Sequence, residues 1–236
     1  MNWVPHCGQG GFLMKKFALT CLLGIALCGN AAADEMFGGA THDWSGHFIG
    51  LQAGGAWGES DGITIEATPE TFGPFDINGG FIGWTSGANW QNGAWVWGYE
   101  SDTSFANISG SSSTCSPDCY GEVNWFSTVR GRLGYAHGMF LFYGTAGVAY
   151  GEIESGIKAP GSYSDDIGVG LAIGGGVEMA FDENWSAKIE YLHLDLGDNT
   201  APAGAIVSTK TDFDDINIVR VGVKRKFDLW GMLTGK

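Results

Sequence analysis

Residues 122–135, EVNWFSTVRGRLGY, alternate too regularly for a helix. One parity is Val123, Trp125, Ser127, Val129, Gly131, Leu133 and Tyr135, and it carries no charge. The other is Glu122, Asn124, Phe126, Thr128, Arg130, Arg132 and Gly134. A period of two marks an extended strand with two unlike faces. A helical period could not place Arg130 and Arg132 on one side and Val129 and Leu133 on the other. The pattern recurs along the chain, which offers no helix to cover the apolar faces. Those faces must therefore meet a second sheet or lipid.

Eight such segments are predicted, at 44–58, 80–90, 95–105, 122–135, 141–151, 168–181, 185–196 and 213–227. Ile49, Leu51 and Trp57 share a parity in the first, Ile82, Trp84, Ala88 and Trp90 in the second, and Trp95, Trp97, Tyr99 and Phe105 in the third. The fifth is ambiguous, because both its parities are apolar or small. Long connections at 59–76, 107–121, 152–166 and 197–212 follow the odd-numbered segments. Short ones at 91–94, 137–138 and 182–184 follow the even ones, and the first holds Asn92-Gly93, a strong hairpin signal. Loops sorted by length in this way fit a membrane barrel with short turns on one side and long loops on the other; a sandwich has no reason to sort them. Trp90, Trp95 and Trp185 flank the short turns, where an interfacial girdle belongs. The expected fold is all-β: an eight-stranded antiparallel transmembrane β-barrel, an up-and-down meander, preceded by a signal peptide.

Composition agrees. Charged residues are 16% of the chain, below the roughly 25% of soluble domains. Forty glycines and ten tryptophans suit close-packed strands with aromatic edges. The formal charge of −14 leaves nothing basic enough to neutralise phosphates, which argues against a nucleic-acid partner.

Residues 14–33, MKKFALTCLLGIALCGNAAA, read as a secretory signal peptide, with cleavage between Ala33 and Asp34. Residues 1–13 lie upstream of it, so Met14 is the expected start. Residues 34–43 are a short periplasmic segment, 44–227 the barrel and 228–236 a periplasmic tail. Removal of residues 1–33 leaves ten bases against 26 acids, a formal −16, and two cysteines, Cys115 and Cys119. An even pair in an exported chain reads as a disulfide. So small a loop is worth only about 2 kcal/mol in the chain-entropy model, and its expected role is to shape its own loop.

If the apolar parity faces lipid, the charged parity faces the axis. Glu100, Asp102, Glu122, Arg130, Arg132, Glu178, Lys188, Glu190, Arg220 and Lys224 are then the expected interior ion-pair network, five acids against five bases. Arg130, Arg132 and Arg220 are expected to pair with Glu100, Glu178 and Glu190. Eight strands enclose only enough room for side chains, so the balance implies a plug. Gly170, Gly174 and Gly176 make room for the long ones.

Signals for chemistry are sparse. The glycines from Gly168 to Gly174 have the wrong spacing for a nucleotide loop and no following helix. His193 and Asp195, with Asp165-Asp166 and Asp214-Asp215 in neighbouring loops, are the best hydrolytic constellation, but acidic rim loops are ordinarily solvated or bind divalent ions shared with lipopolysaccharide. His47 and His193 are weak candidates for haem, and no metal set with proper spacing occurs. Four readings follow: a structural and surface-interaction barrel, a haem or small hydrophobic ligand binder, a narrow porin, and a rim hydrolase. The first is expected, with no enzyme activity and no required cofactor.

WSGHFIGLQAG (44–54), WFSTVRGRLGYA (125–136), LFYGTAGVAYG (141–151), GVEMAFDENWSAKIEYLHLDLG (176–197) and IVRVGVKRKF (218–227) resemble the small outer-membrane surface-antigen barrels of alphaproteobacteria, called outer-membrane immunogenic or porin-family proteins. The resemblance implies an eight-stranded barrel with roles in envelope integrity and surface recognition, haem binding in some members, and no catalytic residue. Its expected partners are outer-membrane lipid and lipopolysaccharide, the barrel-assembly machinery, and a host or extracellular ligand at the loops. Family members finish on an aromatic residue read by that machinery. Phe227 fits that role, although residues 228–236 continue past it.

Overall fold

The computed structural model describes residues 41–64, 71–112, 119–157, 163–196, 198–200, 209–212 and 216–227. The expected signal peptide and Ala33–Asp34 cleavage site, Cys115, the side chain of Cys119 and residues 228–236 lie outside the described residues.

Eight staves form the barrel: β1 (Gly46–Thr64), β2 (Thr71–Asn92), β3 (Trp95–Ser112), β4 (Cys119–His137), β5 (Phe140–Ile157), β6 (Tyr163–Ala180), β7 (Trp185–Asp195) and, after two short strands β8 (Asp198–Thr200) and β9 (Thr209–Asp212), β10 (Ile216–Phe227). Each stave pairs antiparallel with its sequence neighbour, and β10 pairs with β1 from His47↔Phe227 to Trp57↔Asn217, which closes the sheet. Closure gives edge backbone groups partners, as a hydrocarbon solvent demands. β8 and β9 form a hairpin, and β9 continues the ladder on the outer end of β1.

The staves of 11 to 22 residues mostly exceed the nine to eleven a bilayer needs. Much of the sequence expected as long loops is ladder: β1 runs to Thr64 and β2 starts at Thr71. Ser, Gly and Asp in these stretches suggest loops, but pairing with neighbours overrides such propensities. At the opposite end the turns are tight. The ladder closes at Asn92↔Trp95, so the central turn residues are Gly93 and Ala94, one position beyond the Asn-Gly expected from sequence. Gly93 has φ +59° and Gly138, in the equivalent place between His137 and Phe140, φ +58°. Glycine with positive φ at the first central position is the pattern of a II′ hairpin, whose twist matches the flanking strands.

Over the middle of the barrel the two parities separate cleanly. Leu51, Ile82, Val129, Leu133, Leu171, Ile173 and Val221 face out, with Leu51 68% exposed, while Arg130 and Arg220 are buried on the axis. The ambiguous fifth segment, β5, buries Leu141, Tyr143, Thr145 and Ala149 and turns Phe142 and Val148 outward. Ala88 keeps the outward parity of Ile82 and Trp84 but is covered, between its ladder partners His47 and Tyr99.

Nearer the long-loop end both faces invert. Along β7 the inward residues run Ser186, Lys188, Glu190, then Leu192 and Leu194, while the outward ones run Ile189, Tyr191, then His193 and Asp195. Phe81, Ile77, Ile108, Phe126, Ile153 and Ile218 join the two leucines in one apolar cluster inside. Glu59, Asp76 and Glu122 are exposed outside. Apolar-in and acid-out is the arrangement of a soluble sheet. The change of sign therefore marks where acyl chains give way to water.

Glu122 corrects the expected network. Val123 pairs with Ile153 and Trp125 with Glu152, so Asn124 is an extra residue in β4. A bulge shifts parity by one and sends every residue beyond it to the other face. Val123 is thereby buried in the apolar cluster, and Glu122 points outward, opposite Glu154 on β5.

Candidate functional site

The barrel axis collects nine of the ten charges expected there: Glu100 and Asp102 from β3, Arg130 and Arg132 from β4, Glu178 from β6, Lys188 and Glu190 from β7, and Arg220 and Lys224 from β10. β3, β4 and β7 each deliver two charges two residues apart, β10 two charges four apart and β6 one, an even spacing that keeps each stave's charges on one face. Among the described residues the count inside is five bases to four acids, because Glu122 is outside.

The network has two tiers. In the one nearer the short turns, Arg132 bridges Glu100 (3.2 Å) and Glu178 (2.9 Å), and Lys224 bridges the same two acids (2.9 and 3.0 Å). Lys188 pairs with Glu100, and the Ser186 hydroxyl donates to Glu178 (2.6 Å). In the other tier Arg130 meets Asp102 (2.7 Å) and Glu190 (3.1 Å), and Arg220 meets the same pair (3.1 and 2.5 Å). Arg130 to Glu100 and Lys188 to Glu190, both 3.5 Å, tie the tiers together.

Neutral partners complete it. Thr128 donates to Asp102 (2.8 Å), Thr85 to Glu100 (2.9 Å) and Tyr143 to Glu190 (3.0 Å). The Arg132 guanidinium lies 4.0 Å from the Tyr143 ring centre, and the Lys224 ammonium 4.1 Å from that of Phe48. Buried charges survive only with partners of this kind, since an isolated one costs several kcal/mol. Arg220 takes Asp102 as a partner, which the sequence placed in the network but not in that pairing. The apolar cluster above the tiers was legible in β7 and β10, where the charged parity turns into Leu192, Leu194, Ile218 and Ile216, but was not read there.

Below the tiers, residues 41–45 cross the barrel mouth. Trp44 packs against Val96, Ala136, Leu141, Tyr143 and Ala180. This strap was expected to be only a periplasmic segment and the start of a strand. The Ser45 backbone N–H donates to Asp43 Oδ1 (2.9 Å) and holds that carboxyl below the usual range.

The weaker candidates do not converge. His47 lies beside Phe227 at the short-turn end, with ring centres 6.1 Å apart. His193 lies beside Asn217, whose ladder partner on β1 is Trp57. Ten residues of β1 separate these rows, about 33 Å of strand, so the two histidines cannot hold one haem. Asp214 and Asp215 are outside the described residues, while Asp165 pairs in register with Glu154. No cluster of three or more metal-ligating side chains occurs among the described residues.

A closed antiparallel barrel with an apolar belt, an ionic axis and loops sorted by length defines an integral protein of the bacterial outer membrane. The chain matches the outer membrane protein β-barrel domain over residues 19–227 and belongs to that family. It is 36% identical to a 31 kDa outer-membrane immunogenic protein of Brucella melitensis over 208 residues, covering 79% of this chain and 85% of the relative. It is 33% identical to a 22 kDa outer membrane protein of Rhizobium leguminosarum, covering 60% and 64%. These relatives place it among the small barrels of alphaproteobacteria. The crystal structure of OprG from Pseudomonas aeruginosa superposes with a TM-score of 0.53 at 16% identity, covering 79% of this chain and 98% of OprG, and shares the fold.

Proposed function

We propose that this protein is a non-enzymatic barrel that contributes to envelope integrity and presents an acidic surface for interaction outside the cell, with an axis closed to ions. The observation that carries the proposal is the burial of all nine axial charges, each against opposite charge. Groups locked in this way are poor general acids or bases, because catalysis needs a titrating group within reach of substrate. The outward carboxylates Glu59, Asp76, Glu122 and Glu154 stand at the long-loop end, past the point where the outer face turns from apolar to acidic. There they would meet lipopolysaccharide phosphates through shared divalent cations. The names of the Brucella relatives support exposure of this end to the host, as an immunogenic surface. Phe227 ends β10 and supports its role as the residue read by the assembly machinery.

Planar-bilayer recording on refolded protein, together with detergent sensitivity of a deletion strain, tests the reading. The expected results are no stepwise conductance and a more sensitive strain. Ohmic steps from the pure protein would replace the plug with a narrow porin.

A further inference from the structure

The strap at the barrel mouth is built differently from everything around it. It belongs to no ladder. Among the described residues three hydrogen bonds tie it to the barrel: His42 N–H to the Gly138 carbonyl (2.9 Å), Trp44 N–H to Gln91 Oε1 (2.7 Å), and Lys226 Nζ to the Asp43 carbonyl (2.5 Å). These anchors come from the β4–β5 turn, the end of β2 and the end of β10, so the strap spans the opening. Gly46 joins it to β1 with φ +128°, a conformation that other residues rarely adopt. The chain thus turns sharply where the strap meets the stave.

The seat of Trp44 is only partly satisfied. The side chain is 4% exposed, yet among the described residues its indole N–H has no partner, and neither does Asn89 Oδ1. Both residues line a small cavity of about 20 Å³, also bounded by His42, Phe48, Glu178 and Lys224; that is room for about one water. Glu178 and Lys224 are the nearest members of the ionic tiers. Burial pushes the His42 imidazole below its usual pKa, and neighbouring Lys226 adds to the effect. Trp44 therefore docks as an apolar anchor, beside a neutral His42, with its indole N–H unmet and room for about one water next to it. An unsatisfied buried donor makes the docked state costlier than a fully bonded one.

We propose that residues 41–45 are a hinged cork: Trp44 closes the periplasmic mouth, and its withdrawal about Gly46 opens its own seat, floored by Glu178 and Lys224, to water. This closure is separate from the ionic plug and operates whether or not that plug conducts.

Cysteine accessibility tests it in the full-length barrel, refolded in lipid, with native cysteines replaced by serine. Val96→Cys reports the seat beneath Trp44, and Ile108→Cys reports the apolar cluster at the other end. A charged, membrane-impermeant thiol reagent is the probe. Trp44→Ala should raise the reaction rate at position 96 at least tenfold and leave position 108 unchanged. Gln91→Ala with Lys226→Met keeps Trp44 and removes two of the three ties, so it should give a smaller rise at position 96 alone. It also decides the matter if Trp44→Ala fails to fold. Equal protection at position 96 in every background would overturn the cork. A parallel rise at position 108 would also overturn it, by showing that Trp44 merely stabilises the whole barrel.

Discussion

Glu190→Gln is the substitution that asks most of the axial network. Glu190 accepts from Arg220 Nε (2.6 Å), Arg130 Nη1 (3.1 Å) and the Tyr143 hydroxyl (3.0 Å), with Lys188 at 3.5 Å. Glutamine keeps the shape and one acceptor oxygen but removes the charge. Five buried bases would then face three acids, and Arg220 would retain only Asp102 as a counter-ion. Breaking a buried pair from one side costs about 3–5 kcal/mol. With a urea dependence of about 2 kcal/mol per M, the unfolding midpoint should fall by about 2 M. Tryptophan fluorescence and the heat-shifted gel mobility of the folded barrel both report it. Adding Arg220→Met removes the stranded cation, so the double variant should recover most of the loss. A single variant within about 0.5 kcal/mol of the parent, or a double variant no better than the single, would refute the reasoning.

Other substitutions probe the remaining faces. Glu122→Lys should change stability by less than about 0.5 kcal/mol in the same titration, because the bulge at Asn124 puts that carboxylate outside. Leu51→Arg, on the exposed apolar belt of β1, should cost about 2–4 kcal/mol in lipid vesicles, whereas on a soluble surface it would be nearly neutral. Gly147→Ala should abolish the heat-modifiable species on gels, because a Cβ there would lie 2.1 Å from the Val129 carbonyl oxygen and 2.6 Å from Arg130 Cα.

Much of the barrel is written in two-residue periodicity. Val129 against Arg130, or Val221 against Arg220, tells the two solvents apart with no knowledge of partners, because one residue of displacement exchanges the faces. The same rule explains the error at Glu122. The Asn124 bulge exists only in pairing with β5, and nothing in EVNWF announces it. The fifth segment was undecidable for a related reason: Leu141 and Phe142 are both apolar, and only the neighbours show which one meets lipid. Pairings within the axis, such as Arg220 with Asp102, depend on closing the sheet, which brings residues 118 positions apart into contact. The strap was hidden because Trp44 reads as the first residue of the strand at 44–58. Its inward position follows from the turn at Gly46.

The account depends on which medium surrounds the apolar belt. Intermolecular NOEs from acyl-chain protons to side-chain methyls, on refolded protein in micelles, answer this without mutation. Cross-peaks are predicted at Leu51, Val129, Leu133, Ile173 and Val221, and none at Leu141, Leu192 or Ile218. Contacts among Val129, Leu133 and Val221 themselves, with no acyl-chain signal, would mean two stacked sheets and would contradict the barrel.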